Sequence, residues 1–165
     1  MRRFLGVALG LMTITPLIAC NAPPSDIGEA ERAAIGDSVT AAMRSYEDAV
    51  KALDVDRIVG HYAADSQFRF IDNETVYAYD QLVDHVRRAL PSLRSLEGGF
   101  SDIRVHALSR DIALADAGYL DIFTDSAGTV TRVRGTVTWV WARRPEGWRI
   151  VHGHAVALPD TTGNH

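Results

Sequence analysis

Four long β-rich runs occupy the second half of the chain, and no helical period appears among them. The runs span residues 100–109, 112–124, 129–143 and 148–158. Turn-forming residues separate the last three runs, with Ser126, Ala127 and Gly128 in one turn and residues 144–147 in the next. Helical periodicity lies only before this region. Helices followed by a meander of long strands predict an α+β domain with a sheet wrapped around the helices.

Residues 26–91 are predicted to form three helices and two short strands. In residues 26–53 apolar side chains recur at steps of three and four, which predicts one long amphipathic helix. Asp54 is a candidate N-cap for a short second helix, and Asp80 for a third that Pro91 ends. Residues 67–71 alternate as a strand does, and residues 76–77 favour a second short strand.

Composition and charge exclude several classes of protein. The 165 residues contain 17 Lys and Arg against 21 Asp and Glu, a net charge of −4, and no basic cluster exceeds two residues. A general nucleic-acid-binding role is therefore not expected. One Cys excludes an intrachain disulfide, and no Cys/His spacing typical of structural zinc is present. We predict no metal site and no cofactor.

Residues 1–19 have the layout of a secretory signal, with two arginines followed by an uncharged apolar run. The run ends Leu17-Ile18-Ala19-Cys20, which resembles the bacterial lipobox, where the cysteine is acylated. This predicts membrane attachment through a lipid on Cys20, a tether at 20–25 and a place in the bacterial cell envelope, with Asn21 favouring the outer membrane. An ordinary cleaved signal or an N-terminal membrane anchor are the alternatives.

The last β-rich pair carries the most specific motif. Residues 138–154 read TWVWARRPEGWRIVHGH and resemble the last hairpin of the association domain of calcium/calmodulin-dependent protein kinase II. Residues 51–65, KALDVDRIVGHYAAD, followed by SQFRFID, are similar to the opening of SnoaL-like and nuclear transport factor 2-like domains. The resemblance covers about residues 27–159.

This resemblance implies a cone-shaped, cystatin-like α+β roll: a strongly bent antiparallel sheet around a long N-terminal helix, with two shorter helices. The SnoaL-like domain would span residues 26–160, and residues 161–165 would be a frayed tail. Members of the superfamily include isomerases, cyclases, dehydratases, binding modules and oligomerisation hubs, so the fold does not determine the function. They usually leave a pocket between sheet and helices.

Strand alternation predicts which side chains wall such a pocket. Val133, Val137, Trp139 and Trp141 share one face, which we expect to point at the helices. The arginine positions that hold carboxylates in the hub domain fall on Tyr119, Trp139 and Ala155, so a carboxylate clamp is not expected. We predict an aromatic pocket for a small apolar or aromatic ligand, although these rings could instead fill the cone. The predicted ligand-binding residues are Tyr46, Tyr62, Phe70, Tyr119, Asp121, Phe123, Trp139 and Trp141.

Catalytic candidates are few. Asp121 shares strand parity with Tyr119 and Phe123, so it could lie in the pocket with a raised pKa, or it could face solvent. Asp72 is a second carboxylate, at a strand end. His152 and His154 share one face, and the register of the hairpin decides whether that face is the pocket or the exterior. They could serve in pocket chemistry, in the sheet face or a subunit interface, or in metal binding.

Two functions remain open at this level. The first is a non-enzymatic ligand-binding or assembly module, forming a homodimer through the outer face of the sheet. The second is an isomerase or dehydratase that uses a pocket Asp or His without metal. The first predicts no strongly perturbed pKa in the pocket, whereas the second predicts a buried Asp or His beside a Tyr or Trp. A scaffold with a filled cone is a third, weaker possibility.

Overall fold

Three helices cover one side of the domain in the computed structural model, which describes residues 27–158. They are α1 (Glu29–Lys51), α2 (Val55–Val59) and α3 (Tyr79–Ala89), and a 3₁₀ turn, Leu90–Ser92, follows α3. The predicted signal segment, Cys20 and the tail 161–165 lie outside the described residues. None of the helices within residues 27–158 is both long and apolar enough to cross a membrane.

The predicted helix caps have different outcomes. Asp54 caps α2, because its Oδ1 accepts a hydrogen bond from the Arg57 N–H at 3.1 Å. The expectation for Asp80 is wrong. The N-cap of α3 is Ala78, whose N–H donates to Gln81 Oε1 at 2.9 Å, so Asp80 lies inside the first turn. There its negative charge still interacts favourably with the positive end of the helix dipole.

Six strands form one strongly curved sheet in the order β2-β1-β6-β5-β4-β3. All neighbouring pairs are antiparallel except β1 and β6, which run parallel. The α+β roll predicted from sequence is thus confirmed. The strands are β1 (Arg69–Asp72), β2 (Thr75–Tyr77), β3 (Leu93–Ala107), β4 (Ile112–Asp125), β5 (Val130–Arg144) and β6 (Gly147–Ala157).

Strand β3 starts well before the run predicted at residue 100, because a glycine pair hides its beginning. Gly98 has φ +108°, and a Cβ there would overlap the carbonyl oxygen of Leu120 on β4. Only glycine fits this close approach. Next to it, the N–H of Phe100 donates to Glu47 Oε2 at 3.2 Å and its carbonyl accepts from Arg44 Nη1 at 3.1 Å. These two bonds fasten α1 to the glycine-containing part of β3.

The hydrophobic core lies between α1 and the inner face of the sheet. Val39, Met43, Trp141 and Ile150 are fully buried there. Trp148 is also buried, and its indole Nε1–H donates to Ser38 Oγ on α1 at 3.0 Å. Burial of large apolar side chains is the main source of stability for such a fold.

The hairpin of β5 and β6 combines a tight turn with a bulge. Arg144 pairs with Gly147, and the register then shifts by one residue between Val140 and Trp141. The bulge leaves Val151 without a partner and brings Gly153 opposite Trp139. Without the bulge, the side chains of His152 and His154 would lie on the inner face of the sheet, because a shift of one residue exchanges the two faces of a strand.

Candidate functional site

A cavity of about 630 Å³ lies at the end of the sheet where α1 terminates. Its walls come from the last turns of α1, from α3 and from the inner faces of β1 and β3 to β6. Apolar groups dominate the lining, and six aromatic rings contribute to it. These rings are Tyr46, Phe70, Phe100, Tyr119, Phe123 and Trp139.

The structure brings together most of the predicted ligand-binding side chains. Those that line the cavity are Tyr46, Phe70, Tyr119, Asp121, Phe123 and Trp139. Tyr62 and Trp141 do not line it. Tyr62 lies behind Tyr46, with the two hydroxyl oxygens 2.8 Å apart, and Trp141 is fully buried behind Trp139, with ring centroids 5.9 Å apart. These two residues therefore support the cavity wall from behind.

The two histidines of β6 lie on the other side of the sheet. His152 pairs with Val140 and His154 with Thr138, and both side chains are exposed. Neither contributes to the cavity. The possibility that they act as pocket catalysts is thus contradicted. The alternation of β5 is as predicted, since Val133, Val137 and Trp139 all face the cavity.

Two glycines make room for the rings. A Cβ at Gly153 would overlap the Phe70 ring and one at Gly135 would overlap the Tyr119 ring. Each ring therefore lies flat over the neighbouring strand, where a side chain would otherwise stand. The sequence analysis predicted these rings but not the two glycines that make space for them.

The cavity also contains charged and titratable groups besides the rings, and the sequence analysis named only Asp121 and Asp72 among them. Glu47 and Lys51 enter from α1, Asp72 from β1, His85 from α3 and Asp121 from β4. The absence of an arginine clamp was expected, and within residues 27–158 no arginine lines the cavity. Tyr119, Trp139 and Ala155 do face it.

Glu47 is the most heavily paired of these groups. Its Oε1 accepts from Lys51 Nζ at 2.5 Å and its Oε2 from Arg44 Nη1 at 2.7 Å. Burial alone would raise the pKa of Glu47, but the hydrogen bonds from Lys51, from the Phe100 N–H and from Arg44 bring it below its ordinary value. Glu47 is therefore an ionised structural group.

Asp121 is in the opposite situation. It forms neither an ion pair nor a side-chain hydrogen bond with any group in residues 27–158. Burial raises the pKa of Asp121 to about 6, and the negative charge of Glu47 adds to this effect. A carboxyl group with this pKa exchanges a proton readily near neutral pH.

Tyr46 lines the same cavity and carries a hydroxyl group. Burial raises the pKa of Tyr46 to about 12, the hydrogen bond with Tyr62 opposes the change, and the charge of Asp121 adds to it. The buried Tyr62 hydroxyl has no other partner in the described chain. Its proton is satisfied only if Tyr62 donates to Tyr46. The Tyr46 proton is then available to a molecule in the cavity.

In the part of the chain that the structure describes, two side-chain nitrogens are buried without a hydrogen-bond partner. They are the indole nitrogens of Trp139 and Trp141. The Trp139 indole contacts three other rings, with Tyr46 and Phe100 edge-on to it at centroid distances of 5.1 and 5.2 Å and Trp141 at 5.9 Å. Within residues 27–158 no group of three His, Cys, Asp or Glu side chains has the spacing of a metal site.

A curved sheet closed over a long helix, with a cavity at the open end, is the nuclear transport factor 2-like fold. More particularly, residues 29–161 match the model of a family described as AtzH-like, and the chain belongs to this family. No curated protein matches the chain.

Solved structures confirm the fold. One from Streptomyces avermitilis, provisionally described as a dehydratase of the NTF2-like family, matches 76% of this chain and 97% of its own with a TM-score of 0.68 and 14% identity. One from Xanthomonas campestris, provisionally described as a calcium/calmodulin-dependent protein kinase II association domain, matches 84% and 94% with a TM-score of 0.65 and 22% identity. A third, from Novosphingobium aromaticivorans, is provisionally described as an aromatic ring hydroxylase and matches 81% and 92% with a TM-score of 0.67 and 14% identity. At these identities the likeness concerns the fold alone.

Proposed function

We propose that the protein binds a small, mainly apolar organic molecule in the cavity. The observation that carries this proposal is an open space of about 630 Å³ with six aromatic rings in its wall. Small-molecule sites in proteins have this size and this predominantly apolar lining, with a few polar groups that orient the ligand. The Tyr46 hydroxyl and the Asp121 carboxyl are the two polar groups best placed for that task. A cone filled by its own side chains would leave no such space.

Two neighbouring positions on β5 test the proposal. Val133 lines the cavity, whereas Arg132 is exposed on the opposite face. We expect Val133→Trp to fill the space and Arg132→Trp to leave it open. The probe is N-phenyl-1-naphthylamine, which is neutral and fluoresces when it enters an apolar site. Wild type and Arg132→Trp should bind it and Val133→Trp should not. Equal binding by all three, or binding by none, would refute the proposal.

A second candidate function is a proton-transfer enzyme of the isomerase or dehydratase kind. The raised pKa of Asp121 favours it, because a general acid or base works best when its pKa is near the working pH. Asp121 would remove or deliver a proton while the Tyr46 hydroxyl donates to an oxygen of the substrate. This is the feature that a purely binding module was not expected to have.

Proton exchange distinguishes these two functions. A ligand that co-purifies with the protein is identified by native mass spectrometry and returned to the protein in D₂O. An enzyme exchanges an acidic C–H of that ligand, visible by proton NMR, and Asp121→Asn slows the exchange by about 10²-fold or more. No exchange in the wild type would leave only the binding function.

We also propose that Cys20 carries the lipid that anchors the protein in the bacterial cell envelope, with the outer membrane favoured by Asn21. Support comes from the lipobox-like segment that ends at the one Cys of the chain. Expressed in a bacterial host fed radiolabelled palmitate, the full chain should incorporate label and Cys20→Ser should not. Unlabelled wild type, released in soluble form, would contradict the anchor.

A homodimer through the outer face of the sheet is the third part of the proposal. That face presents exposed polar side chains from β5 and β6, including Thr138, His152 and His154. Light scattering after gel filtration measures the mass of the particle. We expect twice the chain mass for the wild type and the single-chain mass for Thr138→Glu, and a monomeric wild type would overturn this part.

A further inference from the structure

We infer that the molecule held in the cavity carries a positively charged amine, and that the Asp121 carboxylate provides its counter-charge among the aromatic rings. This inference rests on the proposed binding function and names its ligand class. Three features support it: the pairing of the other charges at the cavity, the lack of any partner for Asp121 among the described residues, and the aromatic rings in the cavity wall.

The charged groups on the α1 side of the cavity are paired with one another. Lys51 is the one Lys or Arg side chain that lines the cavity within residues 27–158, and it is bound to Glu47. Arg44 binds the other oxygen of the same carboxylate. An anionic ligand would have to break this pairing to obtain a cation, and it would meet Asp121 and Asp72 in the same cavity. Carboxylate ligands are therefore disfavoured.

Asp121 is different because nothing in the described chain balances it. When a ligand displaces water from the cavity, the carboxylate loses solvent and gains no hydrogen bond or ion pair from the protein. A neutral apolar ligand would leave this cost uncompensated. An ammonium group would remove it, because a charge-assisted hydrogen bond to the carboxylate replaces the lost water.

The rings favour the same ligand. Tyr46, Tyr119 and Trp139 belong to the wall that holds Asp121. The faces of such rings attract cations, most strongly when water is excluded. The edge-on contacts of Tyr46 and Phe100 with Trp139 keep these rings at fixed angles to one another. An aromatic wall with one unpaired carboxylate is complementary to an organic ammonium ion.

Three probes of similar shape test the charge. Phenethylamine is cationic, 2-phenylethanol is neutral and 3-phenylpropanoate is anionic at pH 8. Calorimetric titration of the wild-type protein should show the amine binding about tenfold more tightly than the alcohol. The anion should bind more weakly than both. Asp121→Asn should abolish the preference for the amine while the alcohol still binds.

The matched control is Asp116→Asn. Asp116 lies on the same strand, outside the cavity lining, 3.8 Å from His106, and its substitution should leave the preference intact. Equal binding of amine and alcohol by the wild type would overturn the inference and leave the binding function standing. Failure of all three probes while N-phenyl-1-naphthylamine still binds would also overturn it. Failure of that neutral probe too would refute the binding function itself.

The pH dependence of the preference for the amine over the alcohol is an independent test of the inference. The preference for the amine should grow from pH 5 to pH 7.5 as Asp121 ionises. Glu47 and Lys51 from α1, Asp72 from β1, His85 from α3 and Tyr119 from β4 also face the cavity. Of these, His85 is the one histidine in the lining within residues 27–158. In His85→Gln the trend should persist, and its loss there would contradict the assignment to Asp121.

Discussion

The two ends of the β4–β5 strand pair use the same inner face in opposite ways. At the closed end, Ala113 and Ala115 of β4 pair with Trp141 and Trp139 of β5. Toward the open end the large residue is on β4 and the small one on β5, since Tyr119 of β4 pairs with Gly135 of β5. Small side chains face large ones at both ends, but only at the closed end are all four residues buried, since Tyr119 is partly exposed.

This contrast separates the densely packed end of the sheet, which stabilises the domain, from the end that borders the cavity. At the closed end the alanines are fully buried, and the facing indoles pack against the core. At the open end Tyr119, Asp121 and Phe123 are only partly buried, and the cavity lies beside them. Dense packing stabilises the domain, whereas an open wall with an unpaired carboxylate lowers its stability and permits binding.

The largest expected effect comes from truncating one large side chain at each end. Trp141→Ala should lower the free energy of unfolding by about 3–5 kcal/mol, because it leaves a cavity in a fully buried site. Phe123→Ala should cost only about 1 kcal/mol, since that ring already borders an open space. Urea denaturation at one pH measures both. Equal losses would show that the two ends are packed alike.

A smaller effect is expected from the glycine that brings β3 against β4 at the open end. Gly98→Ala should cost about 2–3 kcal/mol, because φ is +108° and the new methyl group would overlap the Leu120 carbonyl. Gly36→Ala in α1 is the control. No atom lies within 4 Å of its added Cβ, so it should gain about 0.5–1 kcal/mol. If Gly98→Ala is neutral in thermal unfolding, the close approach of β3 and β4 is not required.

Regular periodicity explains why much of this architecture could be predicted from the sequence. The helical stripe of Ile35, Val39 and Met43 and the alternation of Val137 and Trp139 report local geometry directly. The resemblance of the last hairpin to a known domain predicted that the sheet bends around the long N-terminal helix. The identity of the inner face of β5 followed from side-chain size, since only one face carries large apolar groups.

The features that were missed depend on single residues or on distant contacts. One bulged residue, Val151, decides the side on which His152 and His154 lie, and a bulge leaves no periodic signal. Glu47 reads as one more charge on the polar side of a helix, yet it contacts Phe100, 53 residues away. Asp72 was named only as a second catalytic candidate at a strand end, and its place in the cavity could not be predicted, because the parallel pairing of β1 with β6 that brings it there joins distant segments.

The smallest expected effect on the free energy of unfolding comes from the charge of Asp121 at the open end. The pKa of Asp121 is about 6 in the folded protein and about 3.9 in an unfolded chain. The folded state therefore binds more protons between these values, and the domain loses stability as the pH rises through them. Asp121→Asn removes that loss. It should be about 1–2 kcal/mol more stable than the wild type at pH 7.5, after allowance for the partial exposure of the carboxyl, and nearly equal to it at pH 4.

The control is again Asp116→Asn on the outer face of the same strand, which should change stability little at either pH. Urea denaturation from pH 4 to pH 8 gives both curves. A stabilisation by Asp121→Asn that does not change with pH would show that shape, and not charge, limits the stability of the open end. A destabilisation at pH 7.5 would mean that the carboxylate has a partner in the folded protein, and the contrast between the two ends would then be one of packing alone.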